Sequence, residues 1–236
     1  MLRFWKKLNE FYGWLVIVFF GFIMLIGLWQ CYDNYYIFEH SRNKDILKYK
    51  PKSHSIVSSS ADAADNPITD EMVAWITIDG TNIDYPVMQG KDNTHFLNTD
   101  PCGEYSLTGS IFLDSRCSSD FSDEYSVIYG HHMDYGKMFG ALDDFLNATY
   151  LESHSTGTLM LGRNGDKTYD LKVFASMRVS AREKTVFDMD NNRIRQFIRN
   201  NADVLTKESK SRIVALSTCA DADSVTRIVV FCYIDC

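Results

Sequence analysis

Thr226-Arg-Ile-Val-Val-Phe-Cys-Tyr-Ile234 reads as a β-strand from end to end. Beyond Arg227 every position is apolar, and β-branched and aromatic side chains suit a pleated surface. Successive side chains point to opposite faces. Arg227, Val229, Phe231 and Tyr233 therefore share one face, and Ile228, Val230, Cys232 and Ile234 the other. A second apolar run, Ile213-Val-Ala-Leu216, ends at Ser217-Thr-Cys219, and the polar loop Ala220-Asp-Ala-Asp-Ser224 separates the two. A hairpin would bring them side by side.

Working back toward the N-terminus, short runs of the same kind recur. Val73–Ile78 leads into an Asp79-Gly80 turn and then Ile83–Met88. Ser110–Asp114, Tyr125–Tyr129, Gly157–Leu161 and Thr168–Val179 follow, with Gly, Asp and Asn between them. Two stretches have helical spacing. Met138, Leu142, Phe145 and Leu146 fall on one face of a helix over 138–146, and Ile194, Phe197 and Ile198 on one face of a helix near 190–202. Many strands with few helices predict a mainly β fold, a closed or nearly closed β-barrel of about 7–8 strands decorated by helices. It would occupy residues 70–236.

The N-terminal part is different. Residues 11–32 contain no charged side chain, and Trp14 and Trp29 stand near the two ends. About 22 helical residues reach roughly 33 Å, enough to cross a hydrocarbon core of about 30 Å. A cleaved signal peptide would need small residues near its end, and Leu28-Trp29-Gln30 supplies none. Arg3, Lys6 and Lys7 precede the span. They predict a cytoplasmic N-terminus (1–10), a transmembrane anchor (11–32) and an extracellular remainder. Residues 33–69 read as a juxtamembrane helix followed by a Ser/Ala/Asp-rich linker over 51–67.

The whole chain of 236 residues carries a formal charge of −7. The part beyond residue 32 has 21 basic and 30 acidic residues, a net −9. Such a surface excludes general nucleic-acid binding, which needs a basic face to displace counterions.

Three residues sit where chemistry is possible. Cys219 ends an apolar run just before a polar loop; it is either a nucleophile at a strand mouth or an ordinary small buried side chain. His131 follows Tyr125-Ser-Val-Ile-Tyr-Gly130 in the same manner, as a partner for a thiol or a residue that caps a turn. Arg227 opens the last strand, either to stabilise an oxyanion or to pair with Asp221 or Asp223. His132 and Asp134 lie beside His131, but no metal-ligand spacing accompanies them, so no metal or other cofactor is expected. Six cysteines in an exterior protein also raise a Cys102–Cys117 disulfide as a possibility.

Taken in order, Gly130-His131, Leu216-Ser-Thr-Cys219 and Arg227 resemble the sortases, membrane-anchored cysteine transpeptidases of mainly Gram-positive bacteria with a β-barrel fold. Tyr85–Asn93, Phe96-Leu-Asn98, Gly109–Asp114, Tyr129–Met133 with Met138-Phe139, and a helix-bearing insertion around 180–208 are similar to class B members. The resemblance spans about residues 70–235. It implies Cys219 as nucleophile, His131 as general acid/base and Arg227 as transition-state stabiliser, with Asn93, Leu97 and Ser217 along the substrate groove. The implied partners are surface proteins bearing NPxTN-like or related xPxTG-like sorting signals and an amine acceptor on peptidoglycan precursor or pilin. Two alternatives differ in outcome: a tethered cysteine peptidase that hydrolyses, and an inactive extracellular binding domain.

Overall fold

The computed structural model describes residues 2–40, 46–51, 66–188, 193–218 and 225–235. The chain divides into two units, Met1–Arg42 and Asn43–Cys236. The first contains α1 (Leu2–His40), whose stretch Arg3–Asp33 is long and apolar enough to cross a membrane and buries none of its side chains within the protein. The expected juxtamembrane helix is partly absorbed into α1, and Ile46–Tyr49 forms a separate 3-10 turn. Most of the expected linker, residues 52–65, lies outside the described residues.

In the second unit the strands are β1 (Met72–Ile78), β2 (Asp84–Met88), β3 (Ile111–Leu113), β4 (Tyr125–Gly130), β5 (Thr156–Leu161), β6 (Lys167–Ser180), β7 (Val204–Leu205), β8 (Arg212–Thr218) and β9 (Thr226–Asp235). They are ordered β5-β1-β2-β3-β4-β8-β9-β6-β7, and a further β5–β6 pairing closes eight of them into a barrel. Among the described residues only β2–β3 and β4–β8 run parallel. β7 lies outside the closed ring, paired to β6 alone.

The two faces read from β9 fall into two cores. Val230, Cys232 and Ile234 join a cluster that draws on all eight barrel strands, including Ile76, Val87, Leu113, Ile128, Leu159, Leu171 and Leu216, and this fills the interior. Val229, Phe231 and Tyr233 join a second cluster on the outside, covered by Ile46, Ile68, Val186, Ile194 and Ile198. Two bulges adjust the faces. One between Met72 and Ala74 lets Met72 share the outer face with Trp75, and one between Val173 and Ala175 turns β6 from inner to outer packing.

The helical stretches differ in detail from the sequence expectation. Phe139–Leu146 is a 3-10 helix, with Phe139, Leu142 and Phe145 buried in the interior core. A short α2 (Ala148–Ser153) follows, capped by the Asn147 side chain, which accepts from the N–H groups of Thr149 and Tyr150. α3 (Lys184–Phe187) starts on the Glu183 side chain, and α4 (Ile194–Asn201) buries Ile194 and Ile198. Side-chain oxygens at the starts of α2 and α3 satisfy N–H groups that lack an intrahelical partner.

Candidate active site

The candidate site lies where β4 and β8 end and β9 begins. In the parallel β4–β8 pair Tyr129 faces Ser217 and Gly130 faces Thr218. In the antiparallel β8–β9 pair Ser217 faces Val229, and the Ile228 N–H donates to Thr218 Oγ1 at 3.1 Å. Gly130 admits no side chain, because a Cβ would fall 2.3 Å from Ile111 Cδ1 and 2.8 Å from Phe139 ring carbons. The next residue, His131, is half-buried, and its carbonyl accepts the Phe139 N–H at 2.9 Å. The loop after β4 is thus tied to the start of the 3-10 helix. His132 is exposed and pairs with Asp143, Nε2 to Oδ2 at 2.9 Å. Cys219 follows Thr218 in the chain and lies outside the described residues, as do Asp221 and Asp223.

Arg227 stands at the start of β9, opposite Val179 of β6. Its guanidinium carbon lies 4.8 Å from the centre of the Phe187 ring and 5.9 Å from that of Tyr129. Those two rings are stacked, 6.4 Å apart and inclined by 28°. Its Nε is buried and has no hydrogen-bond partner among the described residues. The charge is therefore held against aromatic faces, an attraction that engages the flat of the guanidinium rather than its N–H edge.

Behind the clamp is a fully buried carboxylate, Asp114. It accepts from Arg116 Nε at 2.9 Å, Arg116 Nη2 at 2.8 Å, Asn93 Nδ2 at 2.9 Å and the Tyr129 hydroxyl at 3.1 Å. Burial raises the Asp114 carboxyl, but the hydrogen bonds and charge of Arg116, with Asn93 adding to them, outweigh it and hold the group below its ordinary range. Burial pushes the Tyr129 phenol up, and Asp114 pushes it further.

The expected groove residues have distinct environments. Asn93 uses its amide on Asp114 and accepts the Ser115 N–H at 2.7 Å, so it braces the end of β3. Leu97 is half-buried at the end of a 3-10 turn and packs against the outer core. Ser217 is fully buried, with its hydroxyl donating to the Thr218 carbonyl at 3.1 Å. Sequence reading missed Tyr129, Phe187, Asp114 and Arg116 as site residues. Asp114 ends an apolar run and Arg116 follows two residues later, a pattern that reads as an ordinary strand end and turn.

No disulfide joins Cys102 and Cys117. Cys117 belongs to the interior core while Cys102 packs on the outer one, which separates the two thiols. Among the described residues no three His, Cys, Asp or Glu side chains gather as a metal site.

Comparison with known proteins agrees with this architecture. The Sortase domain family matches residues 76–235. Sortase B of Staphylococcus aureus is 34% identical over 176 residues, which cover 69% of this chain and 70% of that protein. The solved structure of a Staphylococcus aureus sortase B–substrate complex has 30% identity and a TM-score of 0.64, covering 71% of this chain and 81% of that one. A Streptococcus pyogenes class B sortase involved in pilus biogenesis has 30% identity and a TM-score of 0.64, covering 82% of this chain and 98% of that one. The shared barrel and the family match across it lead to one assignment: the chain belongs to the sortase B family of cysteine transpeptidases.

Proposed function

We propose that this enzyme cleaves a C-terminal sorting signal, NPxTN-like or of a related xPxTG-like type, after its Thr, and transfers the protein to an amine on peptidoglycan precursor or pilin. The observation that carries the reading is strand register. Gly130 pairs with Thr218, so His131 and Cys219 are each the next residue beyond one parallel pair. The β8–β9 pairing sets Ser217 against Val229, two residues from Arg227. This register supports the reading in which three groups suited to acyl transfer share one barrel mouth. The substrate-bound Staphylococcus aureus relative supports a peptide substrate for the same fold.

The proposed chemistry has two halves. Cys219 thiolate adds to the Thr carbonyl, forming a C–S bond and a tetrahedral oxyanion. The C–N bond then breaks, the leaving amine takes a proton from His131, and a thioester remains. An incoming amine attacks the thioester and passes a proton to His131, and the C–S bond breaks to regenerate the thiolate. Arg227 stabilises both oxyanions. Free thiol and imidazole have pKa values of about 8.5 and 6.5, so at pH 7 the reactive ion pair is the minority form unless the site favours it. Asn93, Leu97 and Ser217 are the proposed groove residues, Asn93 and Ser217 acting by shaping its wall.

The placement proposed for the chain is N-terminus (1–10) in the cytoplasm, 11–32 across the membrane, 33–69 as connector and 70–236 as an extracellular catalytic domain. Apolar α1 and its basic N-terminal flank support it. The test of function incubates the full-length chain in detergent with a panel of NPxTN, LPxTG, SPxTG and PPxTG peptides and triglycine, read by mass spectrometry. Cleavage after Thr with triglycine joined to the product is expected. Hydrolysed product alone would favour a peptidase, and no cleavage of any peptide would favour a binding domain.

A further inference from the structure

Arg227 is held against the Phe187 and Tyr129 rings, and the buried carboxylate Asp114 accepts a hydrogen bond from one of that pair, the Tyr129 hydroxyl. Arg116 links the two rings. Its Nε and Nη2 grip both Asp114 oxygens, and Nη2 also donates to the Phe187 carbonyl at 2.5 Å. Asp114 in turn accepts the Tyr129 hydroxyl. One ion pair therefore fixes both rings of the Arg227 clamp: Phe187 through its backbone, Tyr129 through its phenol. Asp114 is fully buried while half of the Arg116 side chain is exposed, so the pair spans from the core to the surface beside the site.

We propose that Arg116 is a positioning residue for transpeptidation: anchored on Asp114, it holds the Phe187 ring against the face of Arg227, so that the Arg227 N–H edge stays aimed at the reacting carbonyl. This rests on the oxyanion role proposed for Arg227. A lysine at 116 would keep the charge but could not grip Asp114 with a planar fork and reach the Phe187 carbonyl together.

The test uses full-length Arg116→Lys, Phe187→Leu and Phe187→Tyr, each alone and combined with Arg227→Lys. Steady-state transfer is measured with the best peptide of the panel and triglycine, and Cys219 alkylation by iodoacetamide is followed by peptide mass. Arg116→Lys and Phe187→Leu should each lower kcat about tenfold, the scale of a desolvated cation–π contact. Phe187→Tyr should keep the ring and most of the rate. Cys219 alkylation should change less than about twofold in all of them, and the losses should vanish in the Arg227→Lys background, because residues acting through one group are not additive. Full-size losses on top of Arg227→Lys, or alkylation falling in step with kcat, would overturn the inference and make Arg116 merely structural. Arg116→Lys with a wild-type kcat would overturn it as well. If Arg227→Lys itself kept near-full rate, the role assigned to Arg227 would be the one that failed. Should Arg116→Lys not fold, Phe187→Leu carries the same comparison with the Asp114 pair intact.

Discussion

Phe139 lies across the backbone of Gly130 so closely that a Cβ on Gly130 would come within 2.8 Å of its ring carbons. This contact sets the direction of the chain as it leaves β4 toward His131. Gly130→Ala must displace either Phe139 or the strand end, at a cost of about 1–3 kcal/mol for overpacking. Thermal unfolding should show a lower Tm, and peptide turnover should fall by more than the unfolded fraction accounts for. A variant with unchanged Tm and rate would mean the strand end is freer than the packing indicates.

The thiols should separate by burial. Burial pushes both Cys117 and Cys232 up to about 12, so each is almost wholly protonated at pH 7. Brief iodoacetamide treatment of the native protein should label Cys219 and spare these two, as peptide mass mapping would reveal. Cys219→Ala should abolish turnover, whereas Cys232→Ala should lower Tm and leave turnover of the folded fraction in place. Wild-type-like cleavage by Cys219→Ala would remove it as nucleophile.

Replacing Arg227 with Lys keeps the charge and loses the flat guanidinium that faces Phe187 and Tyr129. A loss of about 100-fold in kcat is expected, the scale of removing one oxyanion donor. The measurement is steady-state kinetics with kcat and KM separated. A rise in KM alone would assign Arg227 to substrate binding instead.

The Asp114 carboxyl is held below its ordinary value in the folded protein. Unfolding lets it return to about 3.9, so the unfolded state binds the proton more readily. Its stabilising contribution is present above that value and is lost as pH falls through the lower folded value. Tm measured from pH 6 down to pH 3 should therefore decline, and Asp114→Asn should flatten the decline while lowering Tm at neutral pH. An acid arm identical in the two proteins would show that other groups control it.

Trp75 is fully buried and its indole N–H donates to Asp84 Oδ1 at 2.7 Å, an oxygen also reached by Thr77 and Lys50. Asp84→Ala leaves that N–H unpaired inside the outer core, at a cost of about 1–3 kcal/mol. Denaturant titration should show a lower midpoint with little change in transfer kinetics. An unshifted midpoint would mean that the indole finds another acceptor.

The strands were legible because β-branched and aromatic runs are local patterns, and the faces of β9 separate into the two cores as alternation requires. Sequence also located the Asp79-Gly80 turn, where Gly80 adopts φ of 75°. The parallel β4–β8 pairing left no local trace, since Gly130 and Thr218 are far apart in the chain and only closure of the barrel joins them. β7 is two residues long and carries no periodicity. Helical spacing found Leu142 and Phe145 but could not distinguish 3-10 from α, because both geometries bury residues three apart. The Asp114 pair escaped notice because burial, invisible in sequence, is what turns a turn aspartate into an anchor.

The ninth strand closes the wall between β6 and β8, pairing along ten positions with one and six with the other. Until β9 is in place the earlier strands cannot form a ring. Assembly must wait for contacts across long sequence separations, which slows folding. The barrel mouth where Gly130 pairs with Thr218 is therefore a product of ring closure, and no open sheet of the earlier strands presents it.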